Sequence, residues 1–141
     1  MRVRRGKKPK YLIRAESGLL DDPIWKLALQ GYPTPLICSL RQELLKEVPG
    51  ITESFNTNSR YFGYWRKDEK DRLYIYVQKK NLRIDLCIDP NNKRDLENKG
   101  FKIKRHKNFQ DHSGWLTGWQ VPHEAEDIKT VMKYLVMSFE D

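Results

Sequence analysis

Cysteine is scarce in this chain. Cys38 and Cys87 are the only two among 141 residues, 49 positions apart, with no CxxC pair. A structural zinc centre needs about four clustered ligands and a disulfide-stapled fold needs several pairs, so the count argues against both. Two free thiols fit a reducing, cytoplasmic setting. Long apolar runs are missing too. The longest uncharged stretch, Leu27 to Leu40, has 14 residues and contains Gly31, Pro33 and Pro35, whereas a membrane-spanning helix needs about 20. No apolar stretch follows the positive N-terminus, so no secretory signal is expected, and the absence of serine there argues against an organelle transit peptide. Acidic residues are absent from positions 1–14.

That last absence organises the charge. Residues 1–14 hold seven basic side chains (Arg2, Arg4, Arg5, Lys7, Lys8, Lys10 and Arg14), while the other 20 basic and all 19 acidic residues leave the remainder at +1. The formal charge of +8 therefore belongs to a segment rather than to a domain. A like-charge block repels itself and buries little, so residues 1–14 are expected to be a flexible basic tail. Residues 15–35 then form a short helical lead-in and residues 36–141 a single soluble domain, a length that buries about two-thirds of its unfolded surface.

Periodicity supplies the elements. Leu20, Ile24, Leu27 and Ala28 recur at helical spacing, with Asp21 or Asp22 as the expected N-cap and Pro23 in the first turn. Leu36, Leu40, Leu44 and Val48 form a stripe, widened by Ile37 and Leu45, that Pro49-Gly50 ends. Arg60 to Trp65 reads as a strand. Leu73, Ile75 and Val77 alternate with Tyr74 and Tyr76, and Leu82, Ile84, Leu86 and Ile88 alternate with Arg83, Asp85 and Cys87, which predicts an antiparallel hairpin. A short helix near Arg94–Asn98, a strand around Phe101–Ile103 and a strand from Trp115 to Val121 follow. The last helix carries Ile128, Val131, Met132, Leu135, Val136 and Phe139 on one face. The expected fold is α+β: an antiparallel sheet of about four to five strands with two main helices packed on one face.

Three stretches of this pattern, Arg60-Tyr61-Phe62-Gly63-Tyr64, Val77 to Leu86 and Gly114 to Val121, together with the closing helix, resemble a prokaryotic α+β domain family that carries the label "predicted transport protein". The similarity runs from about Leu40 to Phe139. It implies a compact module of the kind found beside nuclease-like or restriction-associated domains. Where that family usually shows His-Trp-Gly before the last strand, this chain has Gly114-Trp115-Leu116, and His112 is displaced.

Chemistry-bearing residues are few. Asp111-His112-Ser113 places three catalytic residue types in a row, but a triad assembles from separate elements, so a polar loop is the simpler reading. His106 and His112 flank a loop and share no helix face, which leaves no expected metal site. Gln78-Lys79-Lys80, with Glu53, Asp68 or Asp71 upstream, is similar to the carboxylate–Gln-x-Lys arrangement of metal-dependent nucleases, yet falls in the hairpin turn. No catalytic residue and no cofactor are assigned.

Two surfaces remain. Lys99, Lys102, Lys104, Arg105 and Lys107 lie among Phe101, Phe109, Trp115 and Trp119, and cations interleaved with aromatic rings suit phosphates and unpaired bases. With Arg4, Arg5, Lys7, Lys8 and Lys10 of the tail, Lys102, Lys104, Arg105 and Lys107 make the expected nucleic-acid contacts. The outward row of the hairpin offers a ligand site: Tyr74, Tyr76, Arg83 and Asp85, walled by Trp115 and Trp119. The expectation is a non-catalytic binding module whose partner is nucleic acid or a nucleic-acid-processing protein, with no membrane involved. A protein-interaction or small anionic ligand-binding domain is the alternative.

Overall fold

The predicted hairpin sits at the centre of a wider sheet. In the computed structural model, which describes residues 12–21, 23–66, 70–104 and 114–140, β4 (Leu73–Val77) pairs antiparallel with β5 (Asn81–Cys87), Ile75 opposite Ile84. Leu73, Ile75, Leu82, Ile84 and Leu86 are all fully buried, because the shared period of two sends both apolar rows to the same side. Beyond β4 lie β3 (Tyr61–Arg66), β2 (Ile51–Asn56) and β1 (Leu12–Arg14). Beyond β5 lie β7 (Trp115–Pro122) and β6 (Lys102–Ile103). The order is β1-β2-β3-β4-β5-β7-β6, antiparallel throughout.

The expected four to five strands are thus corrected to seven, and the two main helices to four among the described residues, within the α+β class. Both overlooked strands have a physical disguise. The inward row of β2 is Ile51, Glu53 and Phe55, and a glutamate in the core breaks the apolar alternation. Leu12–Arg14 closes a basic segment, yet it pairs with Ser54–Asn56. The boundary of the basic tail therefore moves back from residue 14, and residues 1–11 lie outside the described residues.

All four helices gather on the apolar side. In α2 (Pro35–Glu47) the stripe Leu36, Ile37, Leu40 and Leu44 is buried, whereas Leu45, expected to widen it, is 42% exposed. Asp127 caps α4 (Ile128–Met137) by accepting from the Thr130 amide at 3.0 Å. At the other end Arg66 and Arg72 donate to the carbonyls of Phe139 (3.0 Å) and Ser138 (3.4 Å), where cations complement the helix dipole. In α1 (Ile24–Ala28) Pro23 itself holds the N-cap position, in place of the expected aspartate. The Tyr134 hydroxyl donates to Asp95 of α3 (Asn92–Asn98) and joins that helix to α4. No helix of the described residues is long and apolar enough to cross a membrane.

A buried charge network ties the lead-in to the sheet. Both oxygens of the Glu53 carboxylate accept from Arg41 of α2, at 2.8 and 2.7 Å, and Glu53 also takes the Tyr64 hydroxyl (2.5 Å) and the Leu20 amide (2.9 Å). The guanidinium lies between the rings of Trp25 (4.4 Å) and Phe62 (5.1 Å). Burial, then the neighbouring Glu53, pushes the Tyr64 phenol well above its ordinary pKa, so it stays a donor. Residues 18–29, read from sequence as a lead-in, are hence part of the core: Leu20, Trp25 and Leu29 are buried and Gly18 bridges to Thr52.

Candidate functional site

With the helices on one side, strand parity decides what the other side displays. The register places Tyr61 opposite Tyr76, Tyr76 opposite Arg83, Arg83 opposite Gln120, and Gln120 opposite Lys102. Cross-strand partners share a face, so this is one row crossing five strands on the side away from the helices. Two residues further along the strands lie Arg14, Gly63, Tyr74 and Asp85. Two further still lie Trp65 and, across the sheet, Cys87 and Trp115. Among the described residues no helix covers this face.

The aromatic side chains are half-buried and touch one another. Tyr61 packs against Tyr76 (centroids 4.9 Å apart) and edge-on against Tyr74 (5.4 Å), and Tyr74 lies nearly parallel to Trp115 (5.7 Å, 15°). Gly63 makes room for this packing, since a Cβ there would stand 2.9 Å from Ser54 Oγ and 3.3 Å from the Tyr74 ring. Arg14 lies over Trp65 at 4.4 Å and Arg83 over Tyr76 at 3.7 Å. Tyr74 donates to Asp71 at 2.6 Å. Burial pushes the Tyr74 and Tyr76 phenols above the usual tyrosine range, reinforced by Asp71 at Tyr74 and opposed by Arg83 at Tyr76. Both remain neutral at physiological pH.

Four of the six residues expected to form a ligand site therefore come together: Tyr74, Tyr76, Arg83 and Trp115. The other two have different tasks, and one irregularity explains both. Between Ile84 and Leu86 the register of β7 against β5 shifts by one residue, a β-bulge. The bulge contains Gly118 at φ 74°, and Asp85 accepts its amide at 2.8 Å. Asp85 is fully buried as the clamp of that bulge, with Arg83 Nη2 at 3.4 Å from its second oxygen. The inserted residue also reverses parity, so Trp115 faces out while Trp119 faces in. Trp119 is fully buried edge-on against Phe101 (5.3 Å) and Tyr134 (6.0 Å). It belongs to the core and not to the site.

The clamp is testable. Asp85→Ala leaves the Gly118 amide without its acceptor and should lower unfolding stability by about 1–3 kcal/mol, read by urea denaturation. Asp85→Asn, which keeps an acceptor oxygen, should recover most of the loss. An alanine variant as stable as the parent would remove the clamp from the account.

Other expectations fare variously. Lys102 and Lys104 are exposed at the β6 edge, Lys102 in the row just described. Arg4, Arg5, Lys7, Lys8, Lys10, Arg105 and Lys107 lie outside the described residues, as do Asp68, His106 and Asp111–Ser113. Among the described residues the nuclease-like grouping does not assemble. Glu53 is engaged in the core on the helical side, Asp71 serves Tyr74, and the Gln78 carbonyl accepts from His123 Nε2 at 2.6 Å. Among the described residues no group of three or more His, Cys, Asp or Glu is placed to share a metal ion. A groove of about 620 Å³ between α2 and α4, lined by Glu43, Met132, Lys133 and Val136 among others, includes none of the residues expected to form a ligand or nucleic-acid site.

Sequence reasoning missed Tyr61, Trp65 and Arg14. The signal for the first two was present: in a strand Tyr61, Gly63 and Trp65 share one face, opposite to Phe62 and Tyr64. Arg14 was hidden by its membership in the basic segment. Comparison of the chain with protein-family models, curated proteins and solved structures finds no match.

Proposed function

We propose that this domain is a non-catalytic nucleic-acid-binding module working through the helix-free face of its sheet. The observation that carries the reading is the row Tyr61, Tyr76, Arg83, Gln120 and Lys102, with Trp65 and Arg14 beside it. Flat rings offer stacking surfaces, guanidinium and ammonium groups neutralise phosphates, and an amide supplies both a donor and an acceptor. Among the described residues, Asp71 and Asp85 on this face are already engaged, Asp71 with Tyr74 and Asp85 with the Gly118 amide. Residues 1–10 add six basic side chains and no acid, and Arg105 and Lys107 follow β6 in the chain. Phosphate attraction from these groups is independent of nucleotide sequence. A reducing, cytoplasmic setting and a nuclease-like or restriction-associated partner belong to the same reading.

Fluorescence anisotropy with the full chain and a labelled mixed-sequence oligonucleotide tests it. Affinity should fall linearly with salt on a log–log plot. Arg14, Arg83 and Lys102 alone give a slope of about −2, at about −0.7 per phosphate contact on a single strand. The double substitution Arg83→Ala/Tyr76→Ala should weaken binding at least about tenfold and flatten its salt slope by about 0.7, while the circular dichroism spectrum persists. Binding that survives it unaltered across the salt titration would remove this face from consideration.

A further inference from the structure

Resting on that reading, we infer that the face takes a single strand, with unpaired bases on Trp65, Tyr61 and Trp115, and discriminates against duplex. The spacing of the rings is the reason. Tyr61 and Trp65 lie four residues apart on β3, about 13 Å at the usual strand rise. Trp65 and Trp115 lie in line across β3, β4, β5 and β7, three strand spacings or about 14 Å. Bases in a duplex stand about 3.4 Å apart along the axis with their faces covered by each other, so a duplex can present neither the spacing nor a free π-face. A single strand can do both, because its bases splay from a flexible backbone, and aromatics on a helix-free sheet face, half-buried as these are, stack about two or three of them.

The cations are placed for the same substrate. Arg83 lies over Tyr76, in the row between Tyr61 and Tyr76 on one side and Gln120 and Lys102 on the other. Its contact with Asp85 is a long one, 3.4 Å from Nη2, and the side chain keeps 14% exposure, so the open edge of the guanidinium can donate to a phosphate laid on this face. Arg14 is exposed on the edge strand β1 and lies over Trp65. A long side chain there can move off the ring to a phosphate as a base takes its place, which a buried arginine could not do.

The experiment compares three labelled probes of about 12 nucleotides against the full chain: oligo(U), oligo(dT) and a blunt duplex. At least one single strand should bind about tenfold or more tighter than the duplex, and which one binds better identifies whether a 2′-hydroxyl is read. Trp115→Ala and Trp65→Ala should each weaken single-strand binding by roughly 5- to 150-fold, and leave duplex binding unchanged. Trp115→Phe, which keeps a ring, should restore binding to within a few-fold of the parent, and this separates loss of stacking from loss of packing. Thermal melts of each variant establish that the fold is intact. Equal affinity for duplex and single strands, or single-strand binding indifferent to both tryptophans, overturns the inference while the nucleic-acid reading stands. No binding to any of the three probes at low salt overturns both.

Discussion

Arg41→Ala should lower the unfolding free energy by about 3–5 kcal/mol, a large fraction of the stability of a domain this size. The substitution strands the Glu53 carboxylate, fully buried on the inner face of β2. Among the described residues it keeps only the Tyr64 hydroxyl and the Leu20 amide as partners. It also empties the space between Trp25 and Phe62 that the guanidinium fills. Most of the loss comes from the unpaired charge rather than from the ion pair's own worth, because burial of both ions nearly cancels their attraction. A triple variant, Arg41→Met/Glu53→Leu/Tyr64→Phe, removes the three polar side chains together and should therefore be much more stable than Arg41→Ala alone. Urea denaturation of the three proteins checks the pattern, with the Leu20 amide as the one donor still deprived of its acceptor. A triple variant as unstable as the single one would mean that the network, and not the orphaned carboxylate, carries the energy.

Gly118→Ala should be comparably severe, costing at least about 2–4 kcal/mol and possessing no conservative rescue. Two effects coincide at this position. The backbone sits at φ 74°, where a side chain is strained, and a Cβ would fall 1.2 Å from the Lys104 carbonyl oxygen. The Lys104 amide donates to the Gly118 carbonyl at 2.7 Å, so the neighbouring chain cannot retreat without losing that bond. Relief requires β6 to part from β7, exposing Phe101 and Trp119. Thermal unfolding followed by tryptophan fluorescence would report both the lower midpoint and the wetter indole. A melting temperature within a degree or two of the parent would show that β6 is not held where the structure places it.

Local pattern determined a good deal on its own. The alternation of Leu73, Ile75 and Val77 with tyrosines, and of Leu82, Ile84 and Leu86 with Arg83 and Asp85, specifies a hairpin and which row is buried. A one-residue slip would put two charges in the core, so the register follows from side-chain chemistry alone. The stripes of α2 and α4 were legible for the same reason, and so were Tyr74, Tyr76 and Arg83 as neighbours on an outward face. What only the tertiary structure decided has one physical root: it depends on residues far apart in the chain. Glu53 reads as a solvent-facing residue until Arg41, 12 positions earlier, is seen to neutralise it. Leu12–Arg14 reads as tail until β2 provides a partner strand. Trp119 shares the parity of Trp115 in any regular strand, and only the bulge clamped by Asp85, 33 positions before Gly118, turns it into the core. A glycine inside an apparent strand, as in Gly114-Trp-Leu-Thr-Gly118-Trp119, hints at such a bulge. The direction in which it rotates the chain is settled by the strand it must pair with, because parity has meaning only relative to a partner.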